Sequence, residues 1–343
     1  MPPLTLVAAT DDRFERFSPY VASSNLDGRV TFQAALRDGK TGVFTGIGQD
    51  VEEIARSALV RSVTSHPDRN AAGVVSFFGT KAGGGEAVFL VRDDDVRTIA
   101  ETGDAFVSIG PAGPTMSGEG AVAFRADPSP GVSGIFVAAD DGITTIADTQ
   151  GTWAGFHGLP IIDVRGGVTF RADKKDGQEG IYRWSEGSIR TVVGSGAAFA
   201  SFRPFPSAND DGVVAFAATR SGGGAGIFTA KDGRIEAVVD VDGAFESYRG
   251  ALMAASNIVR IATPRGAGLG LFGGPDPVAD RILAVGDDLL GSSVVELAAN
   301  PVSINAAGQV AIRATLADGR QLILRSEGTF RDASEDRSGP RAT

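Results

Sequence analysis

The decapeptide Asn209-Asp-Asp-Gly-Val-Val-Ala-Phe-Ala-Ala218 has close counterparts elsewhere in this 343-residue chain. Residues 25–34 read NLDGRVTFQA, residues 70–79 read NAAGVVSFFG and residues 305–314 read NAAGQVAIRA. Aligned on this phrase, seven copies are marked by Phe32, Phe77, Phe124, Phe170, Phe216, Ile261 and Ile312. Successive markers are 45, 47, 46, 46, 45 and 51 residues apart. A period of about 40–50 residues is typical of the blades of a β-propeller.

Each copy carries the signals of four strands. It opens with Asn, Asp or Ser, followed three residues later by Gly, as in a turn whose polar side chain bonds the backbone and whose Gly adopts a positive φ. In the sixth copy Ala254 and Asn257 take these places, and we expect Asn257 to supply the left-handed residue of the turn. The phrase then predicts a half-buried strand with Val214, Phe216 and Ala218 on one face. A Gly-Ile-Phe strand, a strand after an Asp-Gly or Glu-Gly turn, and a segment with two aromatic residues complete a four-stranded unit. The pattern therefore predicts an all-β, seven-bladed β-propeller in which the recurring phrase forms the turn and the inner strand of each blade.

The two ends of the chain are complementary. The segments 4–9 and 14–17 have the pattern of the third and fourth strands of a unit whose first two strands are missing. The last copy supplies its first two strands and then stops near residue 331. A ring needs a last blade completed by both termini, whereas an open solenoid needs polar end caps. We therefore expect one propeller over residues 1–331, closed by the N-terminal strands, and a disordered polar tail at 332–343.

The recurring phrase resembles the motif of the bacterial NxxGxxAF tandem-repeat family. NDDGVVAF at 209–216 matches this motif outright, and NAAGVVSF, NLDGRVTF and NAAGQVAI come close to it. The resemblance covers nearly the whole chain and implies a propeller-like repeat architecture. It implies no shared reaction and no catalytic residues.

Composition excludes several classes of function. The chain has 32 Lys and Arg against 42 Asp and Glu, a formal net charge of −10, and its cations are scattered. Because duplex binding requires clustered cations, we expect no nucleic-acid partner. With no Cys and two His, the sequence offers no thiolate or His-x-x-x-His ligands, so we expect neither a metal nor another cofactor. The sequence has no signal peptide and no membrane-spanning apolar run, so we expect no membrane partner and a cytoplasmic location.

One register of the repeat carries the candidate site. Just past the second aromatic or apolar residue of the fourth segment stand Ser18, Gly110, His157, Arg203 and Arg249, with Arg61 approximately placed. In a ring, equivalent positions lie at one height, so we expect these side chains to converge at the mouth of the central channel. A His with two guanidinium groups suits a carboxylate, a phosphate or a polar peptide terminus. The alternative is that they are solvated loop residues.

Other charged residues favour structural roles. Arg125, Arg171 and Arg313 follow the marker residue in three copies, which predicts ion pairs between blades. His66 immediately precedes a turn and is expected at the surface.

Two functions remain open at this point. The first is a binding module that recognises a small anionic molecule, a glycan or a peptide at the channel mouth, with a protein partner as a further option. The second is a non-metal enzyme of the lyase, hydrolase or cyclase type, such as one of a biosynthetic pathway, with His157 as general base and Arg203 and Arg249 stabilising an anion. A purely structural scaffold would show no convergence at the channel. The sparse catalytic residue types favour binding.

Overall fold

The chain folds into seven antiparallel sheets arranged as a seven-bladed β-propeller, as the repeat predicts. The computed structural model describes residues 2–11, 13–55, 57–240 and 243–328. The predicted tail at 332–343, and the end of the propeller at 329–331, lie outside the described residues. Each sheet is a meander of a first, second, third and outer strand, and in four blades the first strand is broken into two short segments.

The strands of the first three blades follow the repeat in order. Blade 1 contains β2 (Phe14–Phe17), β3 (Ser23–Ser24), β4 (Val30–Leu36), β5 (Thr41–Ile47) and β6 (Asp50–Glu53). Blade 2 contains β7 (Val60–Val63), β8 (Asp68–Arg69), β9 (Val75–Lys81), β10 (Glu86–Arg92) and β11 (Asp95–Glu101). Blade 3 contains β12 (Ser108–Ile109), β13 (Thr115–Met116), β14 (Val122–Ser129), β15 (Val132–Ala139) and β16 (Gly142–Asp148).

The remaining four blades keep the same order. Blade 4 contains β17 (Trp153–Ile162), β18 (Val168–Lys174), β19 (Glu179–Ser185) and β20 (Ser188–Gly194). Blade 5 contains β21 (Phe199–Phe202), β22 (Ser207–Ala208), β23 (Val214–Arg220), β24 (Ala225–Lys231) and β25 (Arg234–Asp240). Blade 6 contains β26 (Phe245–Ala254), β27 (Asn257–Pro264), β28 (Gly270–Phe272) and β29 (Arg281–Ala284). Blade 7 contains β30 (Asp288–Leu289), β31 (Ser292–Ala298), a 3₁₀ turn (Pro301–Ser303), β32 (Ala311–Leu316), β33 (Gln321–Ser326) and β1 (Leu4–Ala9).

The N-terminal strand β1 closes the ring. It pairs antiparallel with β33, with Thr5 opposite Arg325, and forms the outer strand of blade 7. The predicted closure by the N-terminus is therefore confirmed. The second N-terminal segment, β2, pairs with β4 and begins blade 1 instead of completing blade 7.

The strand next to the axis is the aromatic-bearing segment, not the recurring phrase as predicted. The axial parts of the first strands are β3, β8, β13, β17, β22, β26 and the 3₁₀ turn of blade 7, and each contacts the next around a closed circle. The recurring phrase forms the second strand of each blade. Its Val214, Phe216 and Ala218 share one face as predicted, but Ala215 and Ala217 on the other face are buried as well. Because neighbouring blades cover both faces, this strand is fully buried and not half-buried.

Aromatic rings pack against one another in each of the first six blades. In blade 5 the ring centroids of Phe199 and Phe228 are 4.9 Å apart, and Phe216 stacks on Phe228 at 5.7 Å. The Gly-Ile-Phe pattern follows from this packing. At Gly134, Gly180 and Gly270 an added Cβ would lie 2.8 Å from the aromatic ring two residues later, so only glycine fits.

The Asn of the turn links neighbouring blades, and we call this set of bonds the interblade belt. In blade 5 the Asn209 amide donates to the carbonyl of Ala255 in blade 6 at 2.8 Å, and its Oδ1 accepts from Val213 N at 2.9 Å. Corresponding donations run from Asn25 to Asn70, from Asn70 to Gly118, from Asn257 to Ala306 and from Asn305 to Asn25. The Gly three residues after each turn residue has a positive φ in every copy but the sixth, as predicted.

Blade 6 departs from the pattern at two positions. Its left-handed turn residue is Ala255, with φ 50°, and Asn257 lies in β27 as a belt donor, so the predicted role of Asn257 is wrong. Phe272 pairs with Arg260, as Phe228 pairs with Phe216, so Arg260 and not Ile261 occupies the marker register. Its side chain is 5% exposed, and Nε and Nη1 have no hydrogen-bond partner within the described residues. Burial lowers the pKa of this guanidinium, against the opposing effect of Asp280.

We expect Asn209→Ala to lower the free energy of unfolding by about 2–3 kcal/mol, because it removes three hydrogen bonds from a buried side chain. Urea denaturation measures this loss. Asn257→Ala is the control, since it removes one bond at a solvated position and should cost less than about 1 kcal/mol. A loss in Asn209→Ala no larger than that in Asn257→Ala would contradict the stabilising role of the three Asn209 bonds.

We expect Arg260→Met to raise the free energy of unfolding by about 1–2 kcal/mol, because a thioether of similar length needs no hydrogen bonds in this apolar position. Arg313→Met is the matched control: Arg313 is also buried but pairs with Glu296 at 2.7 Å, so its loss should destabilise. Destabilisation of the same size in both variants would refute the prediction.

Candidate functional site

A cavity of about 380 Å³ lies on the axis of the ring. It is next to the connections between the outer and the axial segment of each first strand. We call it the channel mouth. Every blade contributes to its wall, through Tyr20, His66, Ala112, Leu159, Phe205, Arg249 and Asn300. Two of its aromatic residues remain accessible, since Tyr20 is 38% and Phe205 is 40% exposed.

A second cavity of about 410 Å³ adjoins the channel mouth between blades 5, 6 and 7. We call it the arginine cleft, because Arg203 and Arg249 both line it. It shares Phe205, Arg249 and Ile261 with the channel mouth, so the two form one continuous depression. Both guanidinium groups are exposed, and within the described residues neither has a hydrogen bond or an ion pair.

Local backbone geometry positions these two arginines. Arg203 N donates to the carbonyl of Ala217 at 2.9 Å, which extends the pairing of β21 by one residue before Pro204 and Pro206 end it. Arg249 follows Tyr248 at a bulge in β26, where the pairing with β27 shifts by one residue. A bulge of this kind redirects a side chain out of the regular alternation.

His157 takes the predicted register but lines neither cavity. It pairs with Arg171 across β17 and β18, and its Nε2 lies 2.8 Å from Asp173 Oδ2. Asp173 also forms an ion pair with Arg171, which bonds Glu179 at 2.7 Å. The structure thus brings Arg203 and Arg249 together and places His157 in a separate charged network.

Arg61 lies outside both cavities as well. It is exposed within β7, and Thr64, whose N donates to Phe78 O at 2.8 Å, occupies the register of Arg203 in blade 2. Sequence alignment misplaced Arg61 because β7 lacks the two aromatic residues that mark the register elsewhere.

We predicted ion pairs between blades for the three arginines that follow the marker residue, but within the described residues they form none. Arg171 pairs with Asp173 and Glu179 of its own blade, and Arg313 pairs with Glu296 of its own blade. Burial lowers the pKa of Arg125, which the field of Asp127 opposes. At this register, Arg171 and Arg313 therefore form their ion pairs within their own blades.

His66 is buried in the wall of the channel mouth, so its predicted surface position is wrong. It is 4% exposed, and its Nε2 donates to the carbonyl of Pro114 at 3.0 Å. The connection after β7 folds the imidazole against Gly113 of the next blade, where an added Cβ would lie 2.3 Å from the ring. Burial lowers the pKa of His66 to about 4.

Asp68 lies two residues further along, at the other end of the channel. It lines a cavity of about 230 Å³ next to the turns that join the first and second strands. Its Oδ2 accepts from Met116 N at 2.7 Å, and burial raises its pKa to about 7. The channel wall thus holds a neutral imidazole and a carboxyl group that titrates near neutrality. Sequence reasoning missed Asp68, since acidic residues beside turns are common in this acidic chain.

Among the residues that the structure describes, no group of three or more His, Asp or Glu side chains is arranged to hold a metal ion. The same residues include no helix long and apolar enough to cross a membrane.

Comparison with solved structures relates the chain to β-propellers. It is similar to an oligogalacturonate lyase in complex with manganese, with a TM-score of 0.60, 12% identity, and coverage of 97% of this chain and 94% of that one. The oligogalacturonate lyase of Vibrio parahaemolyticus gives a TM-score of 0.57 and 11% identity over 96% of this chain and 100% of that one. TolB from Acinetobacter baumannii gives a TM-score of 0.44 and 15% identity over 90% of this chain. This chain spans 63% of the length of that protein.

These likenesses define the class of the protein as a β-propeller and show the fold alone. No family model matches the chain, and no curated protein matches it.

We expect His66 and Asp68 to oppose each other in the pH dependence of stability. The folded-state pKa of His66 lies below its ordinary 6.5, so only the unfolded chain takes up that proton between pH 6.5 and 4, and stability falls with falling pH. The folded-state pKa of Asp68 lies above its ordinary 3.8, so its effect lowers stability as pH rises from 3.8 to 7. In Asp68→Asn only the effect of His66 should remain. The free energy of unfolding of this variant should then rise by about 3 kcal/mol from pH 4 to pH 6.5.

Urea denaturation at several pH values measures both slopes. In the complementary variant, His66→Gln, only the effect of Asp68 should remain, so the free energy of unfolding should decrease as the pH rises from 4 to 6.5. Parallel pH profiles for the wild type and both variants would contradict the assignment.

Proposed function

We propose that this propeller binds an anionic group of a small polar molecule or a peptide in the arginine cleft and the channel mouth. The observation that carries the proposal is the pair of exposed guanidinium groups, Arg203 and Arg249, which line one cleft without an ion-pair partner within the described residues. In a chain with a net charge of −10, two unpaired cations facing one cavity favour an anion from outside.

The chemistry of the cleft suits a carboxylate or a phosphate. Each guanidinium offers planar, paired donors that match two oxygens of such a group. Phe205 and Ile261 supply apolar surface beside the arginines, and the channel mouth adds Tyr20. Volumes of about 410 and 380 Å³ are within the range of small-molecule sites. The expected ligand therefore combines an anionic group with an apolar or aromatic portion, as an acidic peptide segment does.

A second candidate function is non-metal catalysis by His157. Its support is the contact of Nε2 with Asp173 at 2.8 Å, since a carboxylate that orients an imidazole is a common arrangement for a general base. The imidazole is 41% exposed and so accessible to a substrate. However, Arg203 and Arg249 line a cavity to which His157 does not contribute, which separates the base from the anion stabilisers. Binding is therefore the better-supported function.

Thermal and urea denaturation with added ligand test the proposal. The probes are citrate, glutamate, inorganic phosphate, sugar phosphates and a Glu- and Phe-containing peptide, against the wild type and Arg203→Gln/Arg249→Gln. A ligand at 100 times its Kd should stabilise the wild type by about 2.7 kcal/mol. The double variant should lose this gain, because both charged donors are gone.

Arg16→Gln/Arg92→Gln is the matched control. It removes the same charge from two exposed arginines that line neither cavity, and it should keep the full ligand response. Equal responses in all three proteins would refute binding at the cleft. Turnover of a bound probe that is abolished by His157→Gln would favour the catalytic alternative.

A further inference from the structure

A fourth cavity, of about 640 Å³, lies on the opposite face of the ring from the channel mouth. This is the face that carries the turns between first and second strands, and we call it the turn face. The cavity lies across the junction of blades 4 and 5 with a margin of blade 3. We call it the Trp184 cavity.

Trp184 departs from the repeat. It pairs with Val168, and the residues at the same register in other blades are Gly46, Val91, Ala138 and Ala230. A large indole thus replaces a small side chain in blade 4 alone among these blades. It is half-buried at the margin of the core beside Ala121 and Val137, and its remaining surface lines the cavity. Within the described residues its indole N–H has no hydrogen-bond partner, whereas a Trp N–H in a folded protein commonly has one.

The interblade belt is interrupted at the same place, as it also is in blade 3, where Ser117 replaces Asn and its hydroxyl accepts from Ala121 N in its own turn. Blade 4 has Asp163 where the belt has Asn, and a carboxylate cannot donate to the next blade. Asp163 forms a buried ion pair with Arg183, which also donates to Thr169 at 3.2 Å. Gly167 leaves room for this guanidinium, since an added Cβ would lie 2.2 Å from it. Blade 4 meets blade 5 here through Val164 N and Asp210 at 3.3 Å, which leaves the junction open as a cavity.

Charges of both signs surround the indole. Arg165, Arg190, Glu186, Asp210 and Asp211 all line the cavity and are exposed. The three carboxylates repel an anionic ligand, and the two guanidinium groups repel a cationic one. A neutral ligand with several hydroxyl groups meets neither penalty, because each hydroxyl both donates and accepts.

We propose that the Trp184 cavity binds a neutral saccharide, with one sugar ring stacked on Trp184 and its hydroxyl groups bonded to the charged rim. The apolar C–H face of a pyranose matches a flat aromatic ring, and the volume accommodates a short oligosaccharide. This site shares no lining residue with the arginine cleft, so the proposal does not rest on the proposed function.

Trp184→Ala gives a clean test, because alanine already occupies this register in blades 3 and 5 and should preserve the fold. Calorimetric titration with maltohexaose, cellohexaose, chitohexaose and xylohexaose measures affinity at millimolar concentrations. At least one probe should bind the wild type, and Trp184→Ala should weaken it about tenfold or more. Intrinsic fluorescence gives the location, since the only other tryptophan, Trp153, is 9% exposed in the core of blade 4.

Arg203→Gln/Arg249→Gln should bind the saccharide with unchanged affinity. The proposal is overturned if no probe binds, if Trp184→Ala binds equally well, or if the arginine variant alone loses binding. It is also overturned if hexagalacturonate binds and the neutral hexaoses do not. Failure of the anion titrations on the arginine cleft would leave these results unaffected, so the two proposals fail separately.

Discussion

Burial of both faces of each sheet is the constraint on which this structure depends. The second strand of a blade is apolar on both sides, as Phe216 and Ala217 illustrate, and a single sheet would leave one side in water. A ring is the arrangement that gives every blade two neighbours without an exposed end. The interblade belt then fixes the neighbours relative to one another, because the same Asn both closes its own turn and donates to the next one. The N-terminal strand β1 closes the ring by pairing with β33 near the C-terminus. Blades 7 and 1, which come from opposite ends of the chain, thereby cover each other.

The fold could be predicted from sequence because the same backbone demand recurs in every blade. Gly before the aromatic residue of the third strand, as at Gly180, and Gly in the turn are required by geometry, so they repeat with the blade. Radial order was predicted wrongly for a related reason. The recurring phrase forms the second strand, which is buried on both faces. Burial restricts its side chains most strongly, so this strand is the most regular in sequence although it is not the one next to the axis. The first strand adjoins the axis, is broken in four blades and has variable residues, so its regularity in sequence is weaker.

The candidate site was predictable only in part. Register alone predicted that Arg203 and Arg249 lie close together, because their backbones continue or interrupt a regular pairing that all blades share. Register could not reveal that Asp173 holds His157, since that contact depends on neighbours which differ between blades. His66 was placed at the surface because a turn follows it closely, yet the connection in which it lies turns inward against Gly113. Asp68 occupies the register of Ser23, Thr115 and Ser207 in other blades, and one acidic residue beside a turn gave no sign that this register faces the channel.

Departures from the repeat differ in their physical consequences, and this difference separates structural irregularity from a site. Arg260 replaces a core aromatic residue, lacks partners for two of its nitrogens among the described residues, and lines none of the four cavities described above. Its effect is confined to stability. Asp163 and Arg183 also depart from the pattern, but they satisfy each other, and their pairing removes a belt donor where Trp184 replaces a small residue. A compensated departure that opens a cavity around an aromatic ring keeps the local energy favourable and leaves the ring accessible. An uncompensated one carries a cost and opens no cavity, so compensation together with an accessible cavity is the reason for which we propose a binding site in blade 4.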